Sequence, residues 1–280
     1  MVEMLIDSFE AERILIAHDQ RKGSVKAYLD LGFTEEEVRF RQDKIIISDF
    51  EYDIKVIEKL AKKPAVFLLD KKPKIIAFFD ERYYKLEPIE NTAPTIEIDG
   101  IRMHRTKHMT PLEDAQRKVE TIRINPNEVV LDICTGLGYT AIASYRRDSK
   151  VTTIEKDPNV IEIAKYNPYS KDLFQGIEQE EIKLILEDAS QTVKTLEKDS
   201  FDAILHDPPR FSHAGELYSE EFYGDLYRIL RKSGRLLHYV GKPGAKYRGK
   251  DFIKGVQNRL MDVGFKTEKV LDGGSILAYK

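Results

Sequence analysis

Val130-Leu131-Asp132-Ile133-Cys134-Thr135-Gly136-Leu137-Gly138-Tyr139 is the stretch on which the reading of this chain turns. A buried-looking strand runs into a glycine-rich turn, and a helix starts near Thr140. Gly136 and Gly138 let the backbone come close to a ligand at the strand's C-terminal edge, which is where open α/β sheets bind. Alone, a Gly-x-Gly of this kind also fits another nucleotide site or a tight turn. The spacing leaves a dinucleotide open as well, because Ala141 stands at the third position of that fingerprint, where Ala is tolerated.

Outward from this stretch, buried-looking strands alternate with helices. The strands are Val129–Ile133, Val151–Glu155, Lys183–Leu186, Phe201–Leu205, Arg235–Val240 and a closing Ser275–Tyr279. That alternation predicts an α/β fold with a doubly wound, mostly parallel, Rossmann-like sheet. Upstream, a smaller α/β domain is expected. Its predicted helices are Ile6–His18, Val25–Leu31, Glu35–Phe40 with Thr34 as N-cap, and the amphipathic Tyr52–Lys62. Strands are predicted over Lys44–Ser48, Ala65–Leu69 and Lys74–Phe79. Glu87–Pro94 reads as a Pro-bearing loop, and Asp99-Gly100 as a hairpin turn between Thr95–Ile98 and Ile101–Met103. Thr110, Pro111 and Glu113 form a capping box for a helix running to Ile122. The expected domains are 1–94 and 95–280.

With 280 residues, 41% hydrophobic and 33% charged, the chain has the composition of a soluble globular protein. Mean hydropathy is -0.44. No apolar run reaches the roughly 20 residues of a membrane span, and Met1–Glu10 carries acids where a signal peptide has a basic start. An intracellular, cytoplasmic protein is expected. The single cysteine, Cys134, excludes an internal disulfide and a cysteine-rich zinc site. His104 and His108 are spaced by four with no further ligand nearby, so no metal is assigned. The net charge of -3 makes any nucleic-acid binding a matter of a local patch.

Glu155 closes the second strand of the series, about twenty residues beyond the glycine turn, where an acid accepts from both hydroxyls of a ribose. The next strand delivers Asp188-Ala189, with Asp188 placed to accept from an adenine amino group. Each acid alone is also what a solvated strand end looks like. Taken together, the set resembles the class I S-adenosylmethionine-dependent methyltransferases over roughly Met109–Lys280. The resemblance implies S-adenosylmethionine as the ligand, held by Asp132, Thr135, Gly136, Gly138, Tyr139, Glu155, Asp188 and Ala189.

The fourth strand of the series ends in His206-Asp207-Pro208-Pro209-Arg210-Phe211, which looks like the Asp/Asn-Pro-Pro-aromatic motif of enzymes that methylate exocyclic amines or amide nitrogens. A carboxylate and the Pro208 carbonyl accepting both N–H bonds hold such a nitrogen with its lone pair aimed at the sulfonium methyl. The sequence departs from the motif at Arg210, so stacking on a base falls either to Phe211 or to the Arg210 guanidinium. The alternative for Pro-Pro is a rigid turn closing a strand. Lys242, Lys246, Arg248, Lys250, Lys254 and Arg259 crowd one stretch with Tyr247 and Phe252, a candidate phosphate-contacting face. Lys71, Lys72, Lys74, Arg102, Arg105 and Lys107 extend it, and the alternative is a solvated loop and helix.

These features suggest an RNA base N-methyltransferase, most like the archaeal enzymes acting on cytidine N4 of rRNA. Guanosine N2, adenosine N6 and a protein amide nitrogen are the near alternatives. A second resemblance is to the polyamine aminopropyltransferases, carried by Phe201–Leu205, Asp207 and Glu216-Leu217-Tyr218-Ser219-Glu220-Glu221-Phe222-Tyr223. In that family a second acid follows the first by three places, and here that place is Arg210, a cation facing a polycation.

Overall fold

The computed structural model describes residues 4–212, 214–241, 249–271 and 274–280. The chain divides into two compact units, Met1–Leu112 with Glu162–Tyr169, and Glu113–Ile161 with Ser170–Lys280.

In the first unit β1 (Leu5–Asp7) feeds α1 (Ser8–Asp19), and the Asp7 carboxylate caps that helix by accepting from the Glu10 amide. An antiparallel meander follows: β2 (Ser24–Leu29), β3 (Thr34–Arg41), β4 (Lys44–Ile47) and β5 (Phe50–Asp53). Next come α2 (Ile54–Ala61), then β6 (Val66–Leu68), which pairs with both β1 and β7 (Lys74–Ile75). A second four-stranded sheet has the order β11-β10-β9-β8, built from β8 (Ala77–Asp80), β9 (Arg82–Ile89), β10 (Thr92–Ile98) and β11 (Ile101–Arg102). Ile6, Ile14, Leu29, Ile45 and Ile57 are among the fully buried residues of the unit's core.

Three expectations for this unit are corrected. Val25–Leu31 and Glu35–Phe40 are not helices but fall largely in β2 and β3. Burial at Ala27 and Leu29 follows the period of two of a strand, and cross-strand pairs such as Lys26–Glu35 outweigh the helical preference of three successive glutamates. Glu87–Pro94 is not a loop: β9 runs to Ile89 and β10 starts at Thr92. Pro94 is accommodated because the register of the pair shifts between Thr92 and Thr95, where no ladder hydrogen bond is needed from it.

The rest of the chain begins with α3 (Pro111–Ile122), starting at the proline predicted to open it. The elements that follow are β12 (Val129–Ile133), α4 (Tyr139–Tyr145), β13 (Lys150–Glu155), α5 (Pro158–Lys165), α6 (Lys171–Glu178), β14 (Ile182–Leu186) and α7 (Ala189–Thr195). Then come β15 (Phe201–His206), α8 (Glu220–Ile229), β16 (Leu230–Tyr239), α9 (Gly249–Asp262), β17 (Lys266–Val270) and β18 (Ser275–Tyr279). They build a seven-stranded sheet of order β14-β13-β12-β15-β16-β18-β17. The first five strands in that order are parallel, while β18 is antiparallel to both β16 and β17. This is the Rossmann-like, mostly parallel architecture the strand alternation predicts. β17 was not foreseen, because Lys266-Thr267-Glu268-Lys269-Val270 is an edge strand with a mostly polar text.

Successive side chains of the central strands serve opposite faces. Leu131, Ile133, Ile204 and Leu236 join one buried cluster, while Val130, Ala203, Leu205 and Leu237 join the other. With both faces covered, functional groups are left to the carboxyl ends of β12, β13, β14 and β15. Among the described residues, no helix is long and apolar enough to cross a membrane.

Candidate active site

The turn after β12 is tied to β13 by backbone and side-chain bonds. Cys134 adopts φ 75, in the left-handed region that β-carbon-bearing residues avoid, and its amide and that of Thr135 both donate to the Ile154 carbonyl. Beneath it, the Thr153 hydroxyl donates to Asp132 Oδ2 at 2.8 Å and lies 2.6 Å from the Thr135 hydroxyl. Burial pushes the Asp132 carboxyl up to about 7, with the Thr153 hydroxyl pulling against it.

Glu155 ends β13 and accepts from the amides of Gly136 (3.0 Å) and Asp157 (3.1 Å), so its carboxylate clamps the glycine turn to the neighbouring strand. Burial raises its pKa. Gly138 caps α4 at φ 81, and Tyr139 is buried at the start of that helix. Asp188 is the N-cap of α7: its carboxylate accepts from the Ser190 amide and hydroxyl and pairs with Lys156 at 2.7 Å. Ala189 is buried behind it.

Asp207 follows β15, and its carboxylate is held from below by a lysine that sequence reasoning passed over. Lys118 on α3 places its ammonium 2.6 Å from Asp207 Oδ2 and 2.5 Å from Asp114 Oδ2, and 4.6 Å from the centre of the Tyr239 ring. Burial pushes the ammonium's pKa down, but Asp207 and Asp114 more than offset this, so it stays charged. Asp114 and Lys118 read in sequence as an ordinary i,i+4 surface pair, and only the tertiary contact with Asp207 shows their place.

The Asp207-Pro208-Pro209 segment is held by the carbonyls of Pro209 and of His206 just before it, and the Asp207 amide donates to the Ile133 carbonyl at 3.4 Å. The Tyr218 hydroxyl donates to the Pro209 carbonyl at 2.8 Å. His238 Nδ1 lies 3.4 Å from the His206 carbonyl, and its Nε2 lies 3.0 Å from the Tyr223 hydroxyl. A carbonyl only accepts, so His238 carries its proton on Nδ1 and receives one at Nε2 from Tyr223. By the same logic His206 Nε2 donates to the Leu217 carbonyl at 2.9 Å. Both rings are neutral: burial drives His206 down to about 4 and His238 well below its ordinary value. Phe211, 51% exposed, stands edge-on to Tyr218 and Phe252, and Arg210 is exposed.

Asp132, Glu155, Asp188 and Asp207 therefore converge on one sheet edge. Burial, added to by their combined field, raises the Cys134 thiol well above its usual range. Of the predicted basic face, only a part lies among the described residues. Lys242, Lys246, Arg248 and Tyr247 lie outside the described residues, as does the side chain of Lys250 in the first turn of α9. Arg259 donates to the Tyr218 carbonyl, Arg102 is bound by Glu87, and Lys74 by Asp70. Lys254 is exposed.

The doubly wound sheet gives the chain a Rossmann-like fold, a class that it shares with solved spermidine synthases. A spermidine synthase solved with a transition state analogue aligns with a TM-score of 0.58 at 20% identity over 73% of this chain and 72% of that one. The Thermotoga maritima spermidine synthase aligns at 0.55 and 19% over 77% and 74%. At such identities these likenesses speak to fold alone. Within that class, residues 118–270 match the family described as the spermine/spermidine synthase domain, and the chain belongs to that family. An uncharacterized protein of Methanocaldococcus jannaschii is 48% identical over 90% of this chain and 88% of its own length. A Clostridium botulinum polyamine aminopropyltransferase is 31% identical over 52% of this chain, and that match spans about half, 51%, of the relative.

These findings overturn the reading as an rRNA cytidine N4-methyltransferase with RNA as its partner. The family match and the Clostridium botulinum relative fall on the aminopropyltransferase side. The Pro-Pro motif misled because a rigid turn after Asp207 is compatible with any transfer to nitrogen, and the basic residues that favoured RNA are in part engaged in internal bonds.

Proposed function

We propose that this protein transfers an aminopropyl group from decarboxylated S-adenosylmethionine to an amine. The observation that carries the reading is the convergence of Asp132, Glu155, Asp188 and Asp207 at one sheet edge. S-adenosylmethionine carries a carboxylate beside its ammonium, whereas the decarboxylated donor keeps only the two cationic centres. Even with Lys156 and Lys118 paired to Asp188 and Asp207, the acids at this edge outnumber those two cations, which favours the more cationic molecule. The family membership supports the same donor.

In this reading Glu155 and Asp188 face the ribose and adenine, and Asp132, Thr135, Gly136, Gly138, Tyr139 and Ala189 shape the adenosyl pocket. Asp207 and the Pro208 carbonyl orient the acceptor nitrogen. The neutral amine attacks the propyl carbon on sulfur, the C–S bond breaks, and methylthioadenosine leaves as a neutral thioether. The proton lost by nitrogen passes to Asp207 or to water. Phe211 is an exposed aromatic ring next to the motif, and Arg210 is a cation where the resemblance to the polyamine aminopropyltransferases leads one to expect an acid.

Purified protein is incubated with decarboxylated S-adenosylmethionine and a panel of amines, and products are read by chromatography and mass spectrometry. Methylthioadenosine and an aminopropylated amine are expected. Asp207→Ala is expected to lose at least about 100-fold in turnover, the scale of removing one positioned acid–base group, while donor affinity holds. Formation of S-adenosylhomocysteine from S-adenosylmethionine, with no methylthioadenosine from the decarboxylated donor, overturns the proposal.

A further inference from the structure

We propose that Lys118 is an acceptor-specificity residue whose ammonium fills the cation position beside Asp207, so that a second ammonium of an acceptor is excluded there. The geometry is that of an ammonium site already occupied by the chain itself. Nζ lies within 2.6 Å of carboxylate oxygens of both Asp207 and Asp114 and faces the Tyr239 ring at 4.6 Å. The Lys118 and Asp114 side chains are 6% and 8% exposed, whereas that of Asp207 is 29% exposed. Asp207 is thus the member of the triad open to an acceptor, and it presents one carboxylate backed by a fixed positive charge.

Two carboxylates alone would draw a dication into this place. Lys118 between them offsets part of that negative charge, and an acceptor's second ammonium within a few ångströms of Nζ meets like-charge repulsion at low dielectric. The acceptor class that fits is an amine with no further positive charge near the reacting nitrogen. The inference takes from the proposed function only that Asp207 faces the acceptor.

Calorimetry with methylthioadenosine present measures binding of n-butylamine and 1,4-diaminobutane to wild type, Lys118→Gln, Lys118→Arg and the surface control Lys194→Gln. Lys194 is paired with Glu221. Lys118→Gln is expected to raise the preference for the diamine at least about tenfold, since a close charge pair at a protein surface is worth that much or more. Lys118→Arg and Lys194→Gln should keep the wild-type ratio, which separates the effect from general charge loss and from a folding defect. The same ratio in all four proteins, or no amine binding to any of them, overturns the inference. Because binding is read without turnover, a failure of aminopropyl transfer is scored separately.

Discussion

Gly138 is a residue whose identity is dictated by its surroundings. It sits at φ 81, and a β-carbon there would lie 2.7 Å from Leu173 Cδ2. Leu173 is fully buried on α6, so it has little room to retreat. Gly138→Ala therefore combines a left-handed backbone with a core clash and is expected to destabilise the protein by about 2 kcal/mol. Urea denaturation checks this, and a loss under about 0.5 kcal/mol would mean that Leu173 swings aside. Glu155 shows the same local logic in a charged residue. The sequence assigns it to a ligand, and the structure adds that it holds the Gly136 amide, so its loss loosens the turn as well as the pocket.

At the scale of elements, the site depends on how the segment after β15 is fixed. Proline has no amide hydrogen, so Asp207-Pro208-Pro209 can be held from its neighbours mainly through its carbonyls. Tyr218, on the short turn Gly215–Tyr218, supplies one such bond, and His238 on β16 supplies another just before Asp207. Tyr218→Phe keeps the ring contacts with Phe211 and Phe252 and removes only the hydroxyl. A net hydrogen bond of about 1 kcal/mol corresponds to roughly a fivefold fall in kcat. Donor affinity should not change, since the hydroxyl bonds the segment proposed to face the acceptor. A matching loss of donor binding would show that Tyr218 supports the whole sheet edge instead.

For the whole molecule, the buried titratable groups set how stability depends on pH. Asp132 binds its proton more tightly when folded, with its value raised from 3.8 to about 7, so its contribution to stability falls as pH rises through that window. His206 acts in the opposite sense: its value is lowered from 6.5 to about 4, and stability is lost as pH falls between those limits. The two overlap, so the measurement is a difference. Stability of Asp132→Asn relative to wild type should improve by about 1 kcal/mol per pH unit from pH 4 to 7, while the histidine contribution cancels. A difference that stays flat with pH would show that Asp132 ionises freely in the fold.

The amino-acid sequence by itself determined the doubly wound sheet, the glycine turn after β12 and the acids at the ends of β13, β14 and β15. Strands buried on both faces must be nearly continuous apolar runs, and a tight turn with left-handed backbone draws glycine, so both leave marks within a few neighbouring residues. The β2–β3 hairpin was misread because three glutamates in a row favour a helix until a partner strand pairs with them. Only the tertiary structure decided what lies against Asp207. Lys118 is 89 residues away in the chain, and its local text is that of a solvated helix pair. An ammonium becomes part of a site only when folding removes water from it and brings two carboxylates within reach.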